Sequence, residues 1–325
     1  MVPVKKKSPV LIIKTDLKHP NPSVRDWIAF RIIQGKHPRI GEKYRFYPMM
    51  NFSVAIDDHE LGLTHVIRGT DHISNTERQK YIFKYFEWVI PEYFHYGFIS
   101  IPDSILKTSI IKKGINDGNY SGWDDTRLQT LCSMKKRGYT PETFRRYWIE
   151  SGLRDVNAEF SWEIFNSINR QIVDANADRY FFVNLPKLIK VNGSPEVHSK
   201  IPRYQGKFER GYREYDICPN PEIFISNDDF NNLKDGETLR LKDLFNVKFN
   251  FGKFEYQGTE PTGDRLRIIH WCPPDSNDFK VERNNGGVDI GLIEPEATGK
   301  KGIFQLERYG FINKISDSSG IYLHN

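Results

Sequence analysis

The sequence predicts a multidomain chain in the order α/β, then α, then β, and three patterns along its 325 residues indicate this. Strand-like and helix-like segments alternate over the first third, which is typical of βαβ units with a parallel sheet. From about residue 114 to residue 174, apolar residues recur at helical spacing. After Arg179, short β-type runs alternate with turn residues, which predicts a β-barrel region. We therefore expect domains at residues 1–113, 114–176 and 177–325.

Local signals predict the first elements of the α/β domain. Residues 9–14 form an apolar run that predicts a strand. Ser23 is a good N-cap, and it predicts a short helix or turn with an apolar side made of Trp27, Phe30 and Ile33. The aromatic and apolar segment 44–56 predicts a buried strand that leads into a turn or a helix start.

The next segments predict two parallel strands joined by a helix. Residues 64–69 and 95–101 have strand character, and a helical pattern separates them. We expect Asn75 to cap this helix and its buried face to carry Tyr81, Ile82, Tyr85 and Phe86.

Two further helices are predicted in the middle of the chain. Thr140 is an N-cap followed by proline at the first helical position, with a buried face made of Phe144, Tyr147 and Trp148. Ser161 caps a second helix whose apolar side carries Trp162, Phe165, Ile168 and Ile172. Predicted turns of the last domain lie at Asn192-Gly, Lys234-Asp-Gly and Asn285-Gly-Gly.

Composition excludes some classes of protein. No run approaches the roughly 18 apolar residues that would span a bilayer, so we expect no membrane partner and a cytoplasmic protein. The three cysteines, Cys132, Cys218 and Cys272, are far apart and form no CxxC pair, which predicts no protein-bound metal.

Net charge is +5, and residues 103–154 hold ten Lys/Arg against six Asp/Glu. This local surplus fits a phosphate backbone, and a solvated helix face explains it equally well.

Longer motifs resemble a known family. The segments Tyr47-Pro-Met-Met-Asn-Phe and Thr64-His-Val-Ile-Arg-Gly-Thr-Asp-His are similar to the second half of the catalytic domain in glutamyl- and glutaminyl-tRNA synthetases. Tyr120-Ser-Gly-Trp-Asp-Asp-Thr-Arg-Leu and Lys135-Lys-Arg-Gly-Tyr match further along, and Gln305-Leu-Glu-Arg-Tyr-Gly-Phe resembles the closing strands of the family's barrels. The resemblance implies the second half of a class I Rossmann-like domain with the end of an acceptor-stem insertion, a helical connecting domain and anticodon-binding β-barrels.

Within the family, the archaeal glutamyl type is the better match. Leu106-Lys-Thr-Ser resembles the archaeal glutamyl form of the KMSKS loop, usually LSTS, whereas glutaminyl enzymes resemble MSK-R there. Asp178-Arg-Tyr-Phe-Phe-Val also looks archaeal glutamyl. The implied activity is glutamate-tRNA ligase, in which ATP activates glutamate and the tRNA 3′ end then takes the aminoacyl group. A glutaminyl-tRNA ligase is the alternative within the family.

The resemblance implies site residues. Tyr47 and Arg68 match residues that bind glutamate, and a guanidinium suits a carboxylate because it can give two parallel hydrogen bonds. Asp71, His72 and Leu106 are implied on the ATP side. The catalytic loop is implied at Lys107, Thr108 and Ser109. Lys107 replaces the usual first serine and Thr108 stands at the second lysine, so we expect Lys107 to supply the cation, with Lys112 or Lys113 as further candidates.

The implied partners are glutamate, ATP with Mg²⁺, and tRNA(Glu). Phosphate contacts would position the RNA without reading its sequence. The candidate residues for these contacts are Arg127, Lys135, Lys136, Arg137, Arg145 and Arg146. In Gly122-Trp-Asp-Asp-Thr-Arg, Thr126 replaces the proline of the family's GWDDPR signature, so we expect a less rigid turn.

One part of the family's site has no match. Class I synthetases hold ATP phosphates with a HIGH-type motif at a helix N-terminus. His37-Pro-Arg-Ile-Gly is only superficially similar, since no predicted strand leads into it. We therefore expect a C-terminal portion of the enzyme that is active with a separate N-terminal catalytic fragment and that exposes an apolar sheet edge. The alternative is a non-catalytic remnant that binds tRNA.

Overall fold

The computed structural model describes residues 9–261 and 266–325, and the chain divides into two compact units. The first unit runs to Pro102 and includes the later segment Ser151–Phe160. The second unit contains Asp103–Glu150 and Ser161–Asn325. The predicted domain boundaries at 113 and 176 remain predictions.

The first unit contains seven strands and two helices within the described residues. The strands are β1 Val10–Ile13, β2 Trp27–Ile32, β3 Phe46–Pro48, β4 His65–Gly69, β5 Glu92–Tyr96, β6 Ile99–Ser100 and β7 Ala158–Glu159. The helices are α1 Met50–Glu60 and α2 Ile73–Tyr85.

Strands β4 and β5 form the predicted parallel pair, with α2 as the crossover between them. Strands β1, β2 and β3 form a separate antiparallel sheet. The core between this sheet and the helices consists of Trp27, Ala29, Ala55, Ile82 and Phe83. The βαβ prediction is thus confirmed at its central unit.

A short helix or turn was predicted after Ser23; a turn is present there, but the helical side made of Trp27, Phe30 and Ile33 is wrong. Asn21 caps a single 3-10 turn, Pro22–Val24, and the apolar residues beyond it lie on strand β2. Trp27 and Ala29 are both buried while Ile28 is exposed, which is the period of two of a strand with one covered face. Pairing with β1 therefore decided the conformation, although Trp27, Phe30 and Ile33 are also spaced as on a helix.

The helix α2 begins earlier than predicted. Asn75 lies inside the helix and does not cap it. Its side chain instead hydrogen-bonds with the side chains of His72 and Asn51. Burial falls on Thr76, Gln79, Ile82 and Phe83, whereas Tyr85 and Phe86 are exposed. The predicted buried face was therefore rotated by about one residue.

The strand predicted at 95–101 is two strands with Gly97 between them. Gly97 donates its backbone N–H to the Arg154 carbonyl, and β6 pairs in parallel with β7. A Cβ on Gly97 would come within 2.1 Å of the Val156 carbonyl oxygen, so this close approach of two backbones requires glycine. The later segment joins the first unit through this contact.

The second unit contains five helices and fifteen strands within the described residues. The helices are α3 Thr108–Asn116, α4 Leu131–Arg137, α5 Pro141–Ser151, α6 Trp162–Asp174 and α7 Asn227–Asn231. The first strands are β8 Asp178–Tyr180, β9 Phe182–Asn184, β10 Pro186–Asn192, β11 Val197–Pro202, β12 Tyr212–Ile217 and β13 Glu222–Ser226. They are followed by β14 Thr238–Leu241, β15 Asn246–Asn250, β16 Lys253–Tyr256, β17 Arg267–Ile269 and β18 Asn277–Glu282. The last are β19 Val288–Ile293, β20 Gly302–Leu306, β21 Gly310–Ser316 and β22 Ser319–His324.

The predicted β region forms strongly curled sheets. Seven strands follow the order β8-β20-β21-β22-β18-β19-β9, so the two outermost strands are neighbours in the chain, joined through Phe181. Six strands follow the order β13-β10-β16-β15-β14-β17, and β11 pairs with β12 as a hairpin. Buried apolar residues such as Ile189, Phe245 and Trp271 fill the larger core. The prediction of a β region is confirmed as strongly curled, near-barrel sheets, and a closed β-barrel remains a prediction.

Both helices predicted in the middle of the chain are confirmed. The Thr140 hydroxyl accepts from the Thr143 N–H, and the Ser161 hydroxyl accepts from the Ile164 N–H. Phe165 is fully buried, but Trp148 is more exposed than predicted. Within the described residues, no helix is long and apolar enough to cross a membrane.

Candidate functional site

Arg68, which lies near the end of β4, is held inside the first unit. Its Nη2 donates to Thr76 Oγ1 on α2 over 2.6 Å. Its guanidinium carbon lies 4.7 Å from the centroid of the Tyr93 ring on β5. The parallel register places Arg68 opposite His95, which is 2.8 Å from the same Thr76 oxygen. The βαβ unit thus gathers these four side chains at one place.

Several buried polar atoms of the first unit have no hydrogen-bond partner in the described part of the chain, and those of Asp58 and Tyr93 belong to residues beside this arginine. Within the described residues, they include Tyr47 Oη, Asp58 Oδ2, Arg68 Nε, Gln79 Oε1 and Tyr93 Oη. Buried polar groups are normally satisfied by protein or by water, so a group of unsatisfied ones indicates a place for a polar ligand. Donors and acceptors are both present, which suits a ligand with several polar atoms.

Burial and mutual charge set the protonation of the cluster. Burial lowers the pKa of Arg68, while Tyr93 and Asp58 act to raise it. Burial raises the pKa of Asp58, and the nearby Arg68 opposes this rise. Because an arginine stays protonated throughout the working range of proteins, the site keeps a cation that can pair with a carboxylate.

The predicted residue Tyr47 lies on β3, where its half-buried ring stacks on His37 at 5.8 Å between centroids. Asp71 and His72 lie in the 3-10 turn Thr70–His72 that leads into α2. They are 3.7 Å apart and partly exposed, and His72 Nδ1 contacts Asn75 Nδ2 at 2.9 Å. A chain of amide contacts then continues through Asn51 to Gln79.

Sequence reasoning missed several residues of this cluster, namely Asn51, Asp58, Thr76, Gln79, Tyr93 and His95. A signal was present for some of them. Asp58 follows Asn51 and Ala55 at helical spacing on the buried side of α1, and Gln79 lies on the buried side of α2 with Ile82. Tyr93 and His95 alternate along a strand, which places both on the face that β4 and α2 share.

The second unit holds the predicted loop from Leu106 to Ser109. Lys107 is the N-cap residue of α3, and Thr108 and Ser109 form the first turn. No side chain in the described part of the chain caps this helix, and all four residues are exposed. Free N–H groups, the helix dipole and a lysine at one helix start favour an anion.

The predicted phosphate-contacting residues differ in whether an ion pair within the protein already holds their side chains. Arg127 is bound to Asp125 through Nε and Nη2 and holds the pKa of that carboxyl well below its usual range. Lys136 pairs with Asp124 at 2.9 Å. Arg145 and Arg146 both pair with Glu142 on the exposed face of α5, and such surface pairs cost little to break. Lys135 is exposed.

The prediction for Arg137 is wrong. Its side chain is buried, with a relative exposure of 3%, and Nη2 donates to the Leu323 carbonyl and to Tyr139 Oη. It points into the seven-stranded sheet because α4 packs there, so a phosphate cannot reach it. The three consecutive basic residues at 135–137 lie on a helix, and a helix turns about 100° per residue, so they cannot all face solvent.

Thr126 is also buried, at 1% exposure, and its hydroxyl donates to Glu282 on β18. This contact fixes the turn that the missing proline was expected to loosen. Among the residues that the structure describes, no group of three or more His, Cys, Asp or Glu side chains could hold a metal ion.

Comparisons with known proteins agree with these features. Residues 4–175 match the sequence model of the family "tRNA synthetases class I (E and Q), catalytic domain". Residues 177–268 match that of "tRNA synthetases class I (E and Q), anti-codon binding domain".

Similar curated proteins carry the name glutamate–tRNA ligase. The one from Thermoplasma volcanium is 52% identical over 323 residues, which are 99% of this chain and 58% of that protein. The one from Thermoplasma acidophilum is 53% identical over 86% of this chain and 50% of its own length. The one from Pyrococcus abyssi is 44% identical over 97% of this chain and 58% of its own length. The chain thus spans little more than half the length of these relatives.

Proposed function

Because the chain belongs to the class I tRNA synthetases for glutamate and glutamine, we propose that it acts in the ATP-dependent attachment of glutamate to tRNA. The observation that carries this proposal is the half-buried side chain of Arg68, whose buried Nε has no partner among the described residues. A fixed cation beside the unsatisfied oxygens of Asp58 and Tyr93 suits an amino acid with a side-chain carboxylate. The names of the curated relatives favour the same substrate.

Arg68 would pair with the side-chain carboxylate of glutamate. Tyr47 would contribute its unpartnered hydroxyl and an aromatic wall. The reaction requires little covalent chemistry from the protein, so positioning and charge stabilisation carry it.

In the first unit, Asp71 and His72 would lie on the nucleotide side of the site. The start of α3, with Lys107, suits the triphosphate because it presents N–H groups and a positive charge. ATP would bring its Mg²⁺ with it, since the described residues offer no cluster that would hold the ion by themselves.

RNA contacts would come from exposed cations of the second unit. Lys135, Arg145 and Arg146 are accessible. Arg127 and Lys136 would contact phosphate with the exposed part of their side chains while they remain paired with Asp125 and Asp124. The curled sheets would bind unpaired anticodon bases by stacking and by hydrogen bonds to base edges. The match of residues 177–268 to an anticodon-binding family supports this.

A further catalytic segment would complete the first unit. The parallel pair β4–β5 exposes Ile67 and Phe94, and parallel strands are normally covered on both faces. We expect additional strands, supplied by a separate N-terminal catalytic fragment, to cover these residues. The separate fragment is thus a proposed partner together with tRNA(Glu), glutamate and ATP.

The test is aminoacylation of archaeal tRNA with radiolabelled glutamate and ATP. The purified chain is assayed alone and mixed with the part of the Thermoplasma volcanium relative that the chain does not match. We expect glutamylation with the mixture, and a parallel reaction with glutamine should give little product. Preferred charging with glutamine would overturn the substrate assignment. Binding of tRNA without any charging would indicate the non-catalytic role.

A further inference from the structure

Thr76 occupies the centre of the Arg68 cluster. It is buried on α2, and its hydroxyl oxygen lies 2.6 Å from Arg68 Nη2, 2.8 Å from His95 Nε2 and 3.3 Å from the His72 carbonyl oxygen. One hydroxyl therefore contacts side chains or backbone from β4, from β5 and from the turn before α2. Among the described residues, Thr76 is the one side chain that hydrogen-bonds with Arg68.

The hydrogen-bonding capacity of this hydroxyl fixes the direction of each bond. A threonine oxygen has one hydrogen and two acceptor positions. Arg68 can only donate, so it uses one acceptor position of Thr76. The His72 carbonyl oxygen can only accept, so it takes the single hydrogen of Thr76. The second acceptor position of Thr76 is then available to His95, which donates from Nε2–H when the neutral ring carries its proton on Nε2. Burial and the nearby Arg68 lower the pKa of His95, which agrees with a neutral ring.

The arrangement also restricts the orientation of the guanidinium plane. Tyr93 covers one face of the plane, and Thr76 holds one edge through Nη2. The Nε–H remains without a partner among the described residues. An arginine fixed by its surroundings loses less side-chain entropy when it binds a planar anion.

We propose that Thr76, supported by His95, is a positioning residue that holds the Arg68 guanidinium ready for the carboxylate of an amino-acid substrate. This proposal rests on the proposed function, because it assigns the role through the Arg68 site. Thr76 and His95 act on the substrate only through Arg68. The chemistry that they select is a side-chain carboxylate, since a neutral amide would gain little from a fixed cation.

Matched substitutions separate positioning from packing. Thr76→Val keeps the shape and removes the hydroxyl, whereas Thr76→Ser keeps the hydroxyl and removes a methyl group. In glutamate-dependent pyrophosphate exchange with the mixture described above, Thr76→Val should raise KM for glutamate roughly tenfold, the loss expected for one hydrogen bond to a charged group. KM for ATP should stay within about twofold, and Thr76→Ser should resemble the parent. Equal values for the two variants would overturn the proposal.

A second pair tests the support from His95. His95→Gln places an amide atom near the position of Nε2, while His95→Asn is too short to reach Thr76. We expect the glutamine variant to keep a near-parent KM for glutamate and the asparagine variant to behave like Thr76→Val. If both raise KM equally, the ring contributes by packing and the proposed support fails.

A measurement without substrate makes the proposal independent of activity. The ¹⁵Nε–H signal of Arg68 in the isolated chain reports how strongly the guanidinium is held. We expect Thr76→Val, but not Thr76→Ser, to shift and broaden it. An unchanged signal in Thr76→Val would overturn positioning even if the chain proves inactive. A changed signal in a chain that never activates glutamate would instead count against the proposed function alone.

Discussion

The Thr126 hydroxyl donates a 2.5 Å hydrogen bond to the Glu282 carboxylate, and this bond joins two segments that are 156 residues apart in the chain. It connects the turn after α3 to strand β18 of the seven-stranded sheet. The adjacent Arg127 packs its side chain against Gly286, where an added Cβ would come within 3.1 Å of it. The proline usual in the resembling motif has no hydroxyl, so threonine supplies a contact of its own at this place.

The first prediction concerns this contact. Thr126→Val keeps the volume but removes the hydroxyl, so we expect the free energy of unfolding of the second unit to fall by about 1 kcal/mol. Thr126→Ser, which keeps the hydroxyl, should lose less. Urea unfolding of both variants beside the parent measures the difference. If valine is as stable as the parent, the bond contributes nothing to the fold.

The sequence predicted the architecture where long patterns and motifs were present. The alternation around Arg68 and the helix starts at Thr140 and Ser161 are local signals, and the structure confirms them. Near Trp27 the same reasoning failed. The spacing of Trp27, Phe30 and Ile33 fits a helix, but Trp27 and Ala29 follow the strand period of two, and pairing with β1 decided between them.

The candidate site was predictable only in part. Arg68 could be named because its motif resembles a family, but Thr76 and His95 belong to no quoted motif. They meet Arg68 because α2 crosses from β4 to β5 and brings one face of the helix over both strands. Such a contact depends on tertiary geometry, and local patterns in a single sequence do not predict it. Arg137 was named from its motif but is buried, because a basic residue on a helix can face the protein core as well as solvent.

A second prediction separates Lys135 from Arg137. Lys135→Ala should leave stability unchanged, weaken tRNA binding at low salt and reduce the slope of log affinity against log salt by about 1. Arg137→Ala should instead lower the free energy of unfolding by about 3 kcal/mol, because it leaves a cavity and an unpaired Leu323 carbonyl. Filter binding and urea unfolding measure the two effects. A salt slope that falls equally for both variants would contradict the burial of Arg137.

A third prediction concerns the cation of the candidate site. Arg68→Lys keeps the charge but removes the planar fork and the contact with Tyr93. We expect KM for glutamate to rise by roughly tenfold to hundredfold, the range for losing hydrogen bonds to a charged group. KM for ATP should change little. Arg31→Lys, at an exposed position on β2, is the control and should match the parent in pyrophosphate exchange. A parent-like KM in Arg68→Lys would remove this arginine from the site.

A fourth prediction concerns acid stability of the second unit. His270 follows β17, is buried at 6% exposure and stacks on Phe181. Burial lowers its pKa to about 3, and the attraction of Glu307, 3.8 Å away, is outweighed by burial together with the cations Lys242, Arg308 and Arg213. A histidine is protonated near pH 6.5 when unfolded, so between pH 6.5 and about 3 the unfolded state binds more protons. Stability contributed by His270 is therefore fully present above pH 6.5 and is lost as the pH falls through this window.

His270→Phe keeps the stacked ring and removes the titration. The parent should lose stability faster than the variant below pH 6.5, with a difference in slope that approaches about 1.4 kcal/mol per pH unit. Glu307 and the other carboxylates titrate in both proteins, so the difference between the two curves isolates His270. Amide hydrogen exchange in β14 and β17 between pH 7 and about pH 4.5 follows this sheet separately from the first unit. Parallel curves would show that His270 binds its proton equally in the folded and unfolded states, so the pKa of the buried ring would not be lowered.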